Sequence, residues 1–279
     1  MLKRAYVEIT NVCNLQCSFC PGTQRPKRFM TPETFSTAVR RLRPYVQYLY
    51  LHVMGEPLLH PQLGEMLEIA AARSFQICLT TNGTLLGSRR ALLLGAPRLH
   101  KLSVSLHSME GNGAEDLLGY LTDVWDCVCP LSQRGTICTL RLWNIGGRES
   151  RNEEILDFLA GRLDTHPLEL PQPRAGSWRL GERLYLERAE TFDWPDLGAP
   201  ERDIRFCLGL RDQVAVLADG TVTPCCLDHE GDIPLGNLLE QELPDILAGA
   251  RARALYDGFS RGKPGEALCR RCGFAERFG

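Results

Sequence analysis

Apolar residues recur along the first half of the chain in two rhythms that take turns. Short runs at Ala5–Thr10, Tyr48–Val53, Phe75–Thr80, Lys101–Leu106 and Thr136–Leu142 read as strands. Longer stretches with a helical period lie between them: Pro32–Leu42, Gln62–Arg73, Ser88–Leu94, Ala114–Val128 and Asn152–Leu163. Thr31 before Pro32, followed by Glu33 and Thr34, reads as an N-cap and a first helical turn. Repeated β-then-α units predict an α/β fold with parallel strands and right-handed crossovers. A sixth strand is expected near Leu168–Leu170. Prolines then cluster at Pro167, Pro171, Pro173, Pro195 and Pro200, which reads as a connector. After it, Gln213–Leu217 and Thr221–Thr223 form a hairpin pattern through Ala218-Asp219-Gly220, whose Asp-Gly pair is a turn signal. The expected division is a core over 1–165, a connector over 166–205 and a small module over 206–279, a β-hairpin plus helix.

Composition narrows the function class. A chain of 279 residues can bury a sizeable core, and a net charge of −2 offers no footprint for non-specific nucleic-acid binding. Arg40, Arg41 and Arg43 fall on a predicted helix and read as a solvated face. No stretch reaches the roughly 18 apolar residues of a membrane span. Met1 to Lys3 leads straight into a strand, so no signal peptide is expected. Twelve cysteines in a chain of this length, at metal-like spacings, point to a reducing cytoplasm rather than a disulfide scaffold.

Candidate chemistry begins at Cys13, Cys17 and Cys20, spaced C-x3-C-x2-C in a loop just after the first strand. Three thiolates on one loop suit three irons of a cubane cluster and leave the fourth iron without a protein ligand; closed structural sites use four. Cys207, Cys225, Cys226, Cys269 and Cys272 form a second set beyond the connector, with Cys269 and Cys272 as a C-x2-C pair. Soft ligands there suit zinc or iron–sulfur. Cys78, Cys127, Cys129 and Cys138 fall in strand or helix patterns and read as small packing residues.

With Phe19 before the third cysteine, M-G-E-P-L-L-H-P at Met54–Pro61, T-T-N-G-T at Thr80–Thr84 and S-V-S-L-H at Ser103–His107, the chain resembles the radical S-adenosylmethionine (SAM) enzymes. The resemblance implies a partial TIM barrel, (β/α)6, with the site at the C-terminal ends of its strands. It implies a [4Fe–4S] cluster on Cys13, Cys17 and Cys20 whose open iron binds SAM. It also implies a one-electron donor such as flavodoxin or ferredoxin. The implied SAM contacts are Phe19, the Gly55-Glu56-Pro57 loop with Glu56 receiving the methionyl ammonium, Thr81 and Asn82, and Ser105 at the ribose. His107 is open between SAM, substrate and helix capping. Arg141 is open between the SAM carboxylate and an ion pair, and Asn144 closes the fifth strand beside it.

The second cysteine set resembles the C-terminal extension called SPASM, or its shorter form, twitch. By that resemblance Cys207, Cys225, Cys269 and Cys272 hold one auxiliary [4Fe–4S] cluster. The choice of Cys225 over Cys226 rests on a Gly-x4-Cys spacing from Gly220. Cys226 is then a buried thiol, an alternative ligand or a hydrogen-atom donor, and Asp228 and His229 are candidates for handling substrate. Alternation sends His52 into the barrel, where it reads as a satisfied core histidine. The leading reading is hydrogen abstraction from an unidentified small molecule or peptide, with the auxiliary cluster as electron acceptor in a dehydrogenation. Peptide modification or epimerisation is the alternative, and a non-enzymatic electron carrier the remote one.

Overall fold

The computed structural model describes residues 2–112 and 116–278. The elements run β1 (Arg4–Val7), α1 (Pro32–Leu42), β2 (Tyr48–Tyr50), α2 (Leu63–Ala72), β3 (Gln76–Thr81), α3 (Leu86–Gly95), β4 (Leu99–Ser105), α4 (Leu117–Gln133), β5 (Ile137–Ile145) and α5 (Asn152–Leu163). Beyond these come β6 (Ser177–Gly181), β7 (Leu184–Glu190), β8 (Gln213–Val216), β9 (Thr221–Thr223), β10 (Gly236–Asn237), α6 (Leu243–Ala248) and α7 (Ala250–Ser260). One sheet carries all ten strands in the order β10-β9-β8-β1-β2-β3-β4-β5-β7-β6. From β8 to β7 every neighbour pair is parallel, and β6, β9 and β10 add antiparallel edges. This is an open barrel wall backed by helices: the α/β fold that the alternating pattern predicts, in the partial-barrel form that the resemblance implies.

Parallel strands buried on both faces read as unbroken apolar runs. These strands alternate instead. Ala5, Val7, Leu49, Leu51, Ile77, Leu79, Leu102, Val104, Leu140 and Val214 join the main hydrophobic core under the helices. Arg4, Tyr6, Tyr50, His52, Thr80, Ser105 and Arg141 face the other way and line a cavity. The period of two therefore separates a packing face from a chemical face on the same strands.

Local signals act where the sequence placed them. Thr31 caps α1, its hydroxyl accepting from the Thr34 amide at 3.2 Å. Gly220 takes φ +88° in the β8–β9 turn, where a Cβ would meet Asn237 Oδ1 and Leu239 Cγ at 2.6 Å each. Two expectations change. The strand expected near Leu168–Leu170 is a 3-10 turn, Pro167–Glu169, because the prolines around it fix φ and remove backbone donors. The sixth parallel strand of the core is β7, which pairs with β5 and forms a hairpin with β6 inside the stretch read as a connector. The fourth helix runs on through Pro130 to Gln133, and the first two residues of its predicted span, Ala114 and Glu115, lie outside the described residues, as do Met1 and Gly279. No helix among the described residues is long and apolar enough to cross a membrane.

Candidate functional site

The cysteine loop leaves β1 and returns before α1. Its base is tied by Thr10 and Asn11, both buried: Thr10 Oγ1 donates to Arg28 O at 2.9 Å, and Asn11 bridges Pro26 O (3.0 Å) and the Arg28 amide (2.8 Å). Cys13 and Cys20 are exposed and Cys17 half-buried, and all twelve cysteines are thiols. Loops beyond three successive strands each reach one sulfur. Met54 Sδ lies 4.0 Å from Cys20, Asn82 Nδ2 4.0 Å from Cys13, and Ser108 O 3.8 Å from Cys17. Gly55 packs against the start of this loop with φ +78°, and a Cβ there would sit 2.6 Å from Thr10 O. Only glycine fits that approach.

Glu56 sits close enough to the cysteine loop that burial and its charge together push the Cys13 thiol up. It is buried, and its oxygens accept from Leu58 N (2.9 Å), Thr81 Oγ1 (2.7 Å) and Asn82 N (2.7 Å). Burial pushes its carboxyl up to about 7 against those three donors. These bonds brace the loop before Pro57 against the end of β3. Thr81 is likewise engaged, donating to Glu56 and accepting from Gly83 N at 3.0 Å. Asn82 stays at the rim, joined to Asn14 and Thr84 and held from below by Tyr120, whose hydroxyl donates to Asn82 O at 2.8 Å.

Two cavities open from this rim. A pocket of about 340 Å³ is bordered by Ser18, Phe19, His107, Asn144, Gly146, Gly147, Arg148 and Thr191. Phe19 packs on the His107 ring at 4.7 Å, and His107 Nδ1 meets Arg141 O at 3.0 Å. Asn144 borders the pocket but donates to Arg148 O and Asn152 Oδ1, shaping the turn after β5. A second cavity of about 480 Å³ fills the barrel. Tyr6, Tyr50 and His52 form an aromatic cluster on its wall, with Tyr6 and Tyr50 stacked at 4.8 Å. Ser105 lies level with Arg141 in the β4–β5 register, and the Arg141 guanidinium rests 4.4 Å over Trp143. His52 is not the satisfied core residue expected. Its Nδ1 lacks a hydrogen-bond partner among the described residues, and burial with nearby Arg141 lowers its pKa to about 3.

The distant cysteines come together at one cavity. Cys207, Cys225, Cys269 and Cys272 line one small apolar cavity with Pro195, Leu268, Phe274 and Ala275. Cys226 turns the other way, into the barrel cavity beside Tyr6. Asp228 borders the four-cysteine cavity, but its carboxylate accepts from the amides of Asp232 (2.8 Å) and Ile233 (3.0 Å) and closes a local turn. His229 packs edge-on against Trp194 and bonds Leu227 O, outside the lining of the barrel cavity. Both side chains thus have local partners in the fold.

Sequence reading missed the brace that joins these parts. Glu8, fully buried, takes both arms of Arg25 (2.6 and 2.8 Å) and accepts from the amides of Met54 and Ala218. Arg25 also donates to His229 O, and Trp194 Nε1 donates to Phe19 O. Arg4, Tyr6 and Glu8 share one face of β1, and that run of polar residues opposite Ala5 and Val7 was the available signal.

The donor chemistry fits iron–sulfur. All seven ligand candidates are soft thiols, and among the described residues no three His, Cys, Asp or Glu side chains converge on a single-ion site. A cubane spreads its ligand sulfurs around a larger core than one ion does, and thiolates suit it. The fold and site thus define an iron–sulfur protein with a cavity between two cysteine sets. The family model for the Radical SAM superfamily matches residues 7–159, more than half the chain, and that for the SPASM iron–sulfur cluster-binding domain matches residues 207–273. The chain belongs to the radical SAM superfamily: it is a radical SAM enzyme using a [4Fe–4S] cluster with SAM, and it carries a SPASM domain for auxiliary iron–sulfur.

A GTP 3',8-cyclase of Aquifex aeolicus is 35% identical over 168 residues, covering 56% of this chain and 52% of that protein. The chain spans about half the length of the relatives it matches. Among solved structures, BtrN in complex with AdoMet and 2-DOIA is similar with a TM-score of 0.65 at 18% identity, covering 98% of this chain and 93% of that one. Streptococcus suis SuiB bound to S-adenosylmethionine gives 0.64 at 16%, covering 98% and 72%. At these identities the two structures speak for the fold alone.

Proposed function

We propose that the barrel cavity is the substrate site of a dehydrogenation, lying between a SAM pocket and the auxiliary site. The observation that carries this is shared walls. Phe19, His107 and Thr191 border both the rim pocket and the barrel cavity. Gln213, Leu227, Phe274 and Phe278 border both the barrel cavity and the four-cysteine cavity. When bound, the N-terminal cluster with SAM would supply a radical able to take a substrate hydrogen atom, and the auxiliary cluster would supply an acceptor for the second electron, the second proton leaving to a base. Cys13, Cys17 and Cys20 hold the first, and Cys207, Cys225, Cys269 and Cys272 the second. In this reading Phe19, Gly55, Pro57, Asn82, His107 and the Asn144 turn enclose SAM, with Ser105 at its inner end. Trp143, Phe192 and Trp194 wall off water from the substrate. A volume of about 480 Å³ suits a small molecule. Electrons enter from a one-electron donor such as flavodoxin or ferredoxin.

One observation favours a second reading. The Cys226 thiol faces the substrate cavity rather than the other four cysteines. That is where an epimerase would keep a hydrogen-atom donor. Anaerobic incubation of the iron-loaded protein with SAM and dithionite tests the common part. The expected outcome is 5'-deoxyadenosine from the wild type and none from the Cys13→Ala, Cys17→Ala, Cys20→Ala triple variant. A fully iron-loaded wild type that leaves SAM intact would refute the proposal.

A further inference from the structure

We propose that the substrate carries an anionic group, carboxylate or phosphate, on an apolar body, and that Arg4, His52 and Arg141 hold that group inside the barrel. This rests on the substrate-site reading above and adds the substrate's charge class. The lining of the barrel cavity contains two arginines and two histidines and no carboxylate. Three of these cationic or polar side chains have a buried nitrogen without a hydrogen-bond partner among the described residues: Arg4 Nε, His52 Nδ1 and Arg141 Nε.

The neighbouring acids do not settle the account. Asp212 lies 4.0 Å from Arg4 and is shared with Lys3 at 3.1 Å. Glu187 lies 4.0 Å from Arg141 Nε but hydrogen-bonds Arg174. A buried guanidinium without a full partner costs free energy, and an anion of matching geometry recovers it with charge-assisted hydrogen bonds. The three groups are also near one another. Tyr50 interacts with Arg4, Tyr50 and Tyr6 pack against His52, and the Arg141 charge acts on both tyrosines from the opposite strand. Arg141 lines the barrel cavity and not the rim pocket, which directs it to the substrate rather than to the SAM carboxylate. Trp143, against which the Arg141 guanidinium rests, and Phe192, Trp194 and Phe274 supply apolar lining.

The test uses the protein with both clusters loaded and SAM present. Benzoate, phenyl phosphate, benzamide and benzylamine are titrated at millimolar concentrations and followed by ligand-observed NMR. The expected result is that benzoate or phenyl phosphate binds at least tenfold more tightly than benzamide and benzylamine, with the better of the two identifying the anion. Arg4→Gln and Arg141→Gln should each weaken that binding about tenfold, the size of a lost charge-assisted bond. Equal binding of benzylamine or benzamide, or no binding of either anion, overturns the inference. So does an anion that binds both variants as it binds wild type. If a variant loses iron or melts early, the four-ligand comparison on wild type decides alone. The same wild-type sample is assayed for 5'-deoxyadenosine, so a protein that cleaves SAM yet ignores anions refutes this inference and leaves the broader reading standing.

Discussion

Glu56 shows what a carboxylate does when folding claims it first. Its buried oxygens serve three donors from Leu58, Thr81 and Asn82, two of them backbone amides. Glu56→Ala strands all three and should lower stability by about 2–4 kcal/mol, read by denaturant unfolding, while loosening the loop that carries Gly55. The pH dependence has a definite sign. The folded-state pKa is raised from 4.5 to about 7, so the group's contribution is full below about 4.5 and is lost as pH rises to about 7. Wild type should therefore lose up to about 3 kcal/mol relative to Glu56→Gln between pH 4.5 and 8. A difference that stays flat across this range would contradict the buried, raised carboxyl. The sequence marked Glu56, Thr81 and Asn82 as special but not their bonds to one another, since Thr81 and Asn82 stand at the far end of β3. Cys225 and Cys226 teach the same lesson. Adjacent thiols point into different cavities; spacing picked Cys225 for the four-cysteine set, and only the three-dimensional neighbours show where Cys226 goes.

Among the elements, the cysteine loop matters most, and the Glu8–Arg25 pair holds it. Glu8 directly follows β1, Arg25 belongs to the loop, and their partners Met54, Ala218 and His229 belong to three other segments. Breaking a buried pair by removing one partner costs about 3–5 kcal/mol. Glu8→Ala and Arg25→Ala should each show that loss on unfolding, and the double variant should cost little more than either alone. Additive losses in the double-mutant cycle would show that the two residues do not act as one brace. Strands β1 to β5 and their helices were legible because alternation separates the core face from the cavity face along each one. The sixth parallel strand was not, because β6 and β7 meet at a tight turn around Arg183, held at φ +55°, without the usual Asn-Gly or Asp-Gly signal. The apolar Leu168–Leu170 stretch drew the assignment to itself although Pro167 and Pro171 bracket it. The candidate site divides the same way. Its cysteines were readable from spacing, whereas the cavity walls Trp143, Phe192 and Trp194 come from segments without a motif.

At the scale of the whole molecule, three chambers follow one another. The rim pocket, the barrel cavity and the four-cysteine cavity share walls in that order. Strand β8 pairs directly with β1, so the SPASM segment extends the barrel's own sheet. This continuity places Cys225 and Cys226, just beyond the β8–β9 hairpin, at the border of two chambers. The most direct test of this arrangement is the iron content of anaerobically reconstituted variants. Wild type should hold about eight irons, four per cubane. The Cys13→Ala, Cys17→Ala, Cys20→Ala variant and the Cys225→Ala variant should each keep about four, whereas Cys226→Ala should keep about eight. Loss of iron on Cys226→Ala with none on Cys225→Ala, or an N-terminal triple variant that still holds about eight, would contradict the account.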